Sequence, residues 1–409
     1  MPASSSRTSR PVVVTHALRT PIGKYLGSFA DLAAADLGTS VVTGLLGRAA
    51  IDPELVGELI FGNARQAGGG PNVARQISVR SGIPVATPAW TVNMACASGL
   101  KALDLAIESV ALGKSDVAVA GGTESMSGLP FFLPKMRRGY RLGHAQVVDG
   151  MVRDGFFCPL AEMVMGETAE KLAQEMDIPR EEQDRFALES QKKAQAAMEA
   201  GRFESELSPV TVKERKGERV VDADEHPRAN STLEGLAKLP PVFDTEHGTV
   251  TAGNSSGITD GAAALLVMSA DKADELGLEP LAFADGSAQV GVAPKVMGLG
   301  PVPACRALEQ ANGTKLDGYD LIELNEAFAA QVLACDREMS LPIDRLNVNG
   351  GAIALGHPIG ATGARIVVTL LHELKRRGGE RGLATLCVSG GLGFALAFHR
   401  RGLSREATG

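Results

Sequence analysis

The stretch "TVNMACASGLKALDLAIESVALGKSDVAVAGG", residues 91–122, decides the fold. Within it, "GLKALDLAIESVALG" (99–113) sets Leu100, Leu103, Ile107 and Val110 at helical spacing, with Gly113 placed to end the helix. The run "DVAVAGG" (116–122) is short, apolar and stopped by glycines, which predicts a buried strand. Strand, helix and strand in that order make a βαβ unit and a parallel sheet. Cys96 falls where the first strand ends and the helix begins. A thiol there is a small core residue, a metal ligand or a nucleophile. Unpaired N–H groups at a helix start favour thiolate, but the stretch alone does not choose between a nucleophile and a buried structural cysteine.

Upstream of this stretch, "PVVVTHA" (11–17) and "ELIFGNA" (58–64) read as further buried strands. The last third repeats the plan. "LIELNEA" (321–327) echoes "LIFGNA" (59–64), "GHPIGATGARIVVTLLHELKRRG" (356–378) is a Gly-rich loop entering a helix, and "ATLCVSGG" (384–391) is a strand stopped by glycines. The expectation is an α/β protein of two duplicated halves with a site at their junction. Between them, residues 128–257 are richer in charge, proline and methionine. They hold one clear helix, "PREEQDRFALESQKKAQAAMEAG" (179–201), and long irregular stretches such as 219–243, which points to an inserted loop domain with a function.

Composition removes other classes. A chain of 409 residues exceeds one typical core, and 44% hydrophobic with 22% charged residues is globular rather than disordered. A net charge of −7, with only short basic runs, argues against nucleic acid as a partner. Five cysteines (96, 158, 305, 335, 387) lack the spacing of a disulfide framework or a zinc site, so a reducing compartment, the cytoplasm, is expected and no metal. No apolar run is long enough to span a membrane. The start "MPASSSRTSRP" reads as no secretory signal, and the end "REATG" as no peroxisomal address.

Three residues besides Cys96 stand out. His357, between Gly356 and Pro358, is held close to backbone, as suits a base facing a site. Asn325 ends an apolar strand, where it either fixes a water or an oxygen or simply forms a turn. Glu326 beside it reads as a structural acceptor of backbone N–H groups. Cys387 ends a buried strand before a Gly-rich turn and, alone, reads as core. Together, a cysteine and a histidine suggest acyl transfer through a thioester, a second cysteine could move a proton, and Gly-rich turns free N–H groups for an oxyanion.

"NMACASGLKAL", "GGTESMS", "TAGNSSGITDGAAA", "NEAFAAQ", "GGAIALGHPIGATGAR" and "CVSGGLG" occur in the order seen in thiolases, and the resemblance runs from about Pro11 to His399. It implies a thiolase-like, layered α-β-α-β-α core. Residues 1–127 with 258–279 would form the N-terminal half, 128–257 the CoA-binding loop domain, and 280–409 the C-terminal half. It further implies Cys96 as the acylated nucleophile, His357 as its base, and Cys387 as the acid/base at the α-carbon. Asn325 would hold a water that, with His357, stabilises an enolate, and the backbone N–H groups of Cys96 and Ser389 would receive the tetrahedral oxyanion. Arg228 would lie near the adenine and phosphate end of CoA. Met165, Ala252 and Ser256 would line the pantetheine, and Ala327 and Phe328 would wall the acyl pocket. The activity implied is acetyl-CoA C-acetyltransferase or 3-ketoacyl-CoA thiolase. Acetyl-CoA, acetoacetyl-CoA or other 3-ketoacyl-CoA, and CoA would be substrates and products, with no tightly bound cofactor.

Two departures matter. Val164 stands where short-chain thiolases carry histidine, which weakens a strict acetoacetyl-CoA preference. Ser389 stands where glycine is usual, so its turn must avoid positive φ or bear the cost. The stretches 125–144 and 62–76 resemble thiolase tetramer and dimer contacts, implying a homodimer or homotetramer. A carrier-protein condensing enzyme is the nearest rival, but Cys387 in "CVSGG" argues against it. An inactive CoA- or lipid-binding relative would be expected to lack Cys96, His357 or Cys387, and all three are present.

Overall fold

The computed structural model describes residues 10–400, so the serine-rich start and the "REATG" end lie outside the described residues. The N-terminal half contributes β1 (Val12–Arg19), α1 (Ala34–Ala49), β2 (Glu58–Gly62), β3 (Ala89–Val92), α2 (Ser98–Ala111), β4 (Val117–Ser125) and, after the insertion, β5 (Thr259–Ser269). The insertion carries α3 (Met165–Glu175) and α4 (Arg180–Glu199). The C-terminal half contributes β6 (Ala282–Gly291), α5 (Pro301–Asn312), β7 (Leu321–Leu324), α6 (Ala329–Met339), α7 (Ile359–Arg377), β8 (Arg381–Val388) and β9 (Leu392–His399).

These strands run in the order β7-β8-β9-β6-β1-β5-β4-β2-β3, with the short strand Gly23–Lys24 pairing beside β5. The duplication is visible in the pairing. β2 is parallel to both β3 and β4, as β7 is parallel to β8 and to a single bridge at Leu346. β4–β5 and β5–β1 are antiparallel, and so are β8–β9 and β9–β6. The halves join through Val13–Phe283 and Val14–Ala282. The strands flanking α2 are therefore parallel as expected, but β2 lies between them and the whole sheet is mixed.

Five layers follow from which faces are apolar. Both faces of β4 are buried, with Ala118 and Ala120 facing one core and Val117 and Val119 another. Such a strand reads as a continuous apolar run. α2 (Leu100, Leu103, Val110) and α7 (Ile366, Val367, Leu370) share the central core with side chains from both halves of the sheet. α1 covers the outer face of the N-terminal strands through Leu37, Val41 and Leu45. α5 and α6 cover the outer face of the C-terminal strands through Val302, Leu308 and Val332.

Glycines behave differently from the sequence expectation. Gly121 and Gly122 do not stop β4, which continues to Ser125, and Gly360 and Gly363 lie inside α7 rather than in a loop. The reason is close approach. A Cβ on Gly122 would sit 2.1 Å from the Gly360 carbonyl oxygen. α7 can begin this near β4 only if both residues lack side chains. Gly122→Ala is expected to destabilise the protein by about 1–3 kcal/mol, read as a lower urea midpoint, because the clash is with backbone that cannot turn aside.

Candidate active site

Cys96 is presented by a tight turn between β3 and α2. Ala95 adopts φ 44°, a left-handed conformation costly for a residue with a Cβ. Neighbours hold it there. Asn93 Oδ1 accepts from the Ala95 N–H (3.0 Å), while Ser98 Oγ accepts from the Met94 N–H (2.9 Å) and donates to the Ala95 carbonyl (2.6 Å). Cys96 therefore stands just before the helix, as the motif predicts, half-buried in the wall of a cavity of about 390 Å³.

The C-terminal half supplies the facing wall. Cys387 lies at the end of β8, and Ser389 follows in the turn to β9. The positive φ values of that turn fall on Gly390 (92°) and Gly391 (88°), not on Ser389, so the serine carries no backbone penalty. The backbone N–H groups of Ser389 and of Cys96 itself act on the Cys96 sulfur.

His357 reaches the cavity from the turn before α7, with its backbone N–H donating to the Gly257 carbonyl (3.1 Å). Thr362 Oγ1 donates its hydrogen to the Pro358 carbonyl (3.0 Å), so its oxygen accepts from His357 Nδ1–H (2.6 Å). That fixes the tautomer, and Nε2 is left as the basic nitrogen. Burial, then Arg365 and Arg65, push the imidazole down to about 3, so it is neutral at physiological pH.

Burial also pushes the Cys96 thiol above its usual range, against Arg65 and the two N–H groups that draw it down. The thiolate expected from the helix start is not the resting form. The Cys387 thiol is raised well above 9, first by burial and then by Cys96. Two neutral thiols and one neutral imidazole face a largely apolar cavity. A proton that passes from sulfur to nitrogen there creates a thiolate–imidazolium pair, which burial disfavours and the N–H groups of Cys96 and Ser389 offset in part.

The other expected residues divide into two groups. Met165, Ser256, Ala327 and Phe328 line the same cavity, and so does Val164. Ala252 and Arg228 are exposed and do not line it, and Arg228 borders a separate shallow groove along α4. Asn325 lies behind the wall, 1% exposed, and neither end of its amide finds a protein partner. An orphaned buried amide suits an ordered water. Glu326 is the structural acceptor expected of it: it takes hydrogen bonds from Ser190 Oγ (2.6 Å), Asn347 Nδ2 (2.9 Å) and the Ile353 N–H (3.2 Å).

Sequence reasoning missed several residues. Phe243, from the irregular stretch, lines the cavity and stands edge-on to Phe328, with ring centroids 6.4 Å apart. A Cβ on Gly166 would lie 2.0 Å from the Phe243 ring, so the glycine after Met165 is what admits it. Arg65, Phe156 and Met297 also line the cavity. Glu124 binds the two halves together behind it. Its carboxylate accepts from Asn63 Nδ2 (2.7 Å), the N–H groups of Ala64 (3.2 Å) and Arg65 (3.1 Å), and the Gly360 N–H (2.8 Å) at the start of α7. Only the acid in "GGTESMS" hinted at this, and nothing in the sequence gave its partners.

A cysteine on a strained turn, a buried neutral histidine and a second thiol share one cavity at the junction of two duplicated α/β halves, the residue types that thiol-based acyl transfer requires. The N-terminal domain family of thiolases matches residues 12–271, and the thiolase C-terminal domain matches residues 278–400. The chain belongs to the thiolase family. It is 51% identical over 392 residues to an acetyl-CoA acetyltransferase of Cupriavidus necator, covering 95% of this chain and 99% of that one. It is 50% identical over 390 residues to an acetyl-CoA acetyltransferase of Chromobacterium violaceum, again over 95% of this chain and 99% of that one. The solved Bacillus anthracis acetyl-CoA acetyltransferase superposes with a TM-score of 0.94 at 45% identity, over 96% of this chain and all of that one. Human mitochondrial 3-ketoacyl-CoA thiolase in complex with CoA gives 0.92 at 40% identity, over 96% of this chain and 98% of that one.

Proposed function

We propose that this chain is an acetyl-CoA C-acetyltransferase that interconverts two acetyl-CoA with acetoacetyl-CoA and CoA through an acyl-Cys96 intermediate. The observation that carries the reading is the grouping of Cys96, His357, Cys387 and the Ser389 N–H around one cavity. In the cleavage direction, His357 Nε2 takes the Cys96 thiol proton and the sulfur attacks the 3-keto carbon. The N–H groups of Cys96 and Ser389 receive the oxyanion. The C2–C3 bond then breaks, its electrons form the acetyl-CoA enolate, and the Cys387 thiol protonates C2. His357 and a water on Asn325 steady that enolate. CoA next gives its thiol proton to the Cys387 thiolate and attacks the acyl-Cys96 carbonyl; the Cys96–acyl bond breaks, acyl-CoA leaves, and the Cys96 thiolate takes back its proton from His357. Each good donor at an oxyanion contributes roughly 3 kcal/mol.

Segment 128–257 serves in this reading as the loop domain over CoA, with Met165 and Ser256 along the pantetheine. Ala252 would touch the pantetheine only outside the cavity, Arg228 lies toward the nucleotide, and Ala327 and Phe328 stand beside the acyl group. CoA comes and goes as substrate and product, with no tightly bound cofactor. The oligomer is a homodimer or homotetramer. The outer strand β3 bears a half-exposed Trp90, and the segment after β4 exposes Phe131, Met136 and Leu142, surfaces that suit contact with further copies. The setting is a reducing one, the cytoplasm, where both thiols stay reduced.

A second reading, a broad-chain 3-ketoacyl-CoA thiolase, is favoured by one feature: Val164 keeps apolar a part of the cavity where histidine would read the acetoacetyl group. CoA-dependent cleavage of acetoacetyl-CoA against a longer 3-ketoacyl-CoA decides between them. Exclusive or preferred cleavage of the short substrate supports the first reading and preference for the longer one the second, while cleavage of neither removes both. Phe243→Ala is expected to raise KM for acetoacetyl-CoA about tenfold with little change in kcat, because the ring contacts bound substrate and not the reacting atoms.

A further inference from the structure

Arg19 and Arg365 both lie deep in the core, and only Arg19 is satisfied. Arg19 donates from Nε to Glu206 and from both terminal nitrogens to Asp224 (2.7 and 2.9 Å). Arg365, on α7, is 2% exposed, and none of its three nitrogens finds a hydrogen-bond partner among the described residues. Its nearest carboxylate, Glu323 on β7, stands 3.5 Å from Nη1, an ion pair without hydrogen-bond geometry. Two further acids act on its charge, but their hydrogen bonds are committed elsewhere. Glu206 takes Arg19 and the Thr369 hydroxyl (3.1 Å), and Glu326 takes Ser190, Asn347 and the Ile353 N–H.

Asn325 has the same shortage, since both ends of its buried amide lack a protein partner. The two residues face the same layer. Leu321 lies in the central core and Ile322 and Leu324 in the outer one, so strand alternation turns Glu323 to the central side. The Asn325 N–H still donates to the Thr385 carbonyl (3.0 Å), in strand register, which carries Asn325 to that side as well. α7 packs there. It bears Arg365 one turn beyond Thr362, the residue bonded to His357, and the Arg365 charge acts on His357 itself. Buried polar atoms that the protein leaves open are met by ordered water, each molecule making about three hydrogen bonds. Three open nitrogens on Arg365 and two open amide atoms on Asn325 call for a short chain of waters rather than one.

We propose that ordered waters link Arg365 to Asn325 behind the cavity wall, and that Arg365 is a positioning residue for the water that meets the enolate. The inference rests on the thiolase reading above and deepens it. The Arg365 N–H groups donate to the first water, and the chain donates in turn to Asn325 Oδ1. That leaves Asn325 Nδ2–H to hold the water at the enolate oxygen. A fixed positive charge then stands behind the group on which negative charge develops, and Glu323 keeps it in place. Acyl transfer to and from Cys96 uses the other oxyanion position, the N–H groups of Cys96 and Ser389, and does not depend on this chain.

The test separates those two steps in the full chain. Exchange of acetyl-CoA against isotopically labelled CoA reports acyl transfer alone, and thiolysis of acetoacetyl-CoA adds the enolate step. Arg365→Lys keeps the charge and loses the planar set of donors. Its kcat for thiolysis should fall about tenfold at about pH 8, with KM and the exchange rate within about threefold of the parent. Equal losses in thiolysis and exchange overturn the inference, because Arg365 then only holds the fold, and so does no loss in either. A parent that catalyses neither reaction removes the thiolase reading and this inference with it. Should Arg365→Lys fail to fold, Arg365→Met combined with Glu323→Leu takes its place with the same outcomes, since no buried charge is left unpaired. A crystal structure of the parent gives a second readout that needs no variant. It should show ordered water bonded to both Arg365 and Asn325; a direct contact between the two, or no water on either, overturns the inference and leaves the thiolase reading standing.

Discussion

Cys96→Ala is expected to lower CoA-dependent cleavage of acetoacetyl-CoA by about 10⁴-fold or more, because removing a nucleophile abolishes the covalent route rather than slowing it. The geometry makes this loss specific. Cys96 is the thiol on a strained turn, with Ala95 at φ 44°, two N–H groups acting on its sulfur and a cavity beside it. The other four cysteines lack that combination, although Cys387 shares the cavity. The protein should still fold, since Ala fills nearly the same space and the turn is held by Asn93 and Ser98. A CoA titration followed by calorimetry should give an affinity within about threefold of the parent, since the sulfur contributes to bond making more than to ground-state binding. Turnover by Cys96→Ala within about tenfold of the parent would contradict the mechanism.

His357→Ala is expected to reduce kcat about 10³-fold, the scale of a lost general base that also stabilises developing charge. The pH dependence gives a sharper expectation. With the imidazole pushed down to about 3 and the Cys96 thiol pushed above its usual range, both partners stay neutral from about pH 5 to 8. The kcat/KM of the parent should therefore be flat across that window. An acidic limb near 6.5, the ordinary histidine value, would mean that His357 is solvated and not the buried base described here. Stability runs with the same shift. Below 6.5 the unfolded chain takes up a proton that the folded His357 refuses until about 3, so the folded state loses stability as pH falls through that range. Thr362→Val should reproduce roughly tenfold of the kcat loss, since the hydroxyl that fixes the tautomer is gone while the ring remains.

How much of this was legible depended on whether a residue's job is local. Cys96, His357 and Cys387 each sit in a short motif whose turn or helix start is set by its own neighbours, so sequence alone could nominate them. Asn63 and Asn325 ending β2 and β7 made the duplication readable. The tertiary partners were not readable. Phe243 meets Phe328 across a long sequence separation, Arg65 reaches the cavity only because Gly155 makes room, and Glu124 ties β4 to α7. The glycines misled for a related reason. Gly121 and Gly122 looked like strand breakers, whereas their purpose is contact with Phe61, the Ala263 carbonyl and Gly360, partners no local window contains.

In the proposed mechanism Cys96 carries the acyl group. Mass spectrometry of the protein mixed with acetyl-CoA, quenched in acid and digested, tests it most directly. One acetyl group is expected on the peptide containing Cys96, and adding CoA before the quench should remove it. An unmodified Cys96 peptide, or an acetyl group carried on Cys387 instead, would contradict it.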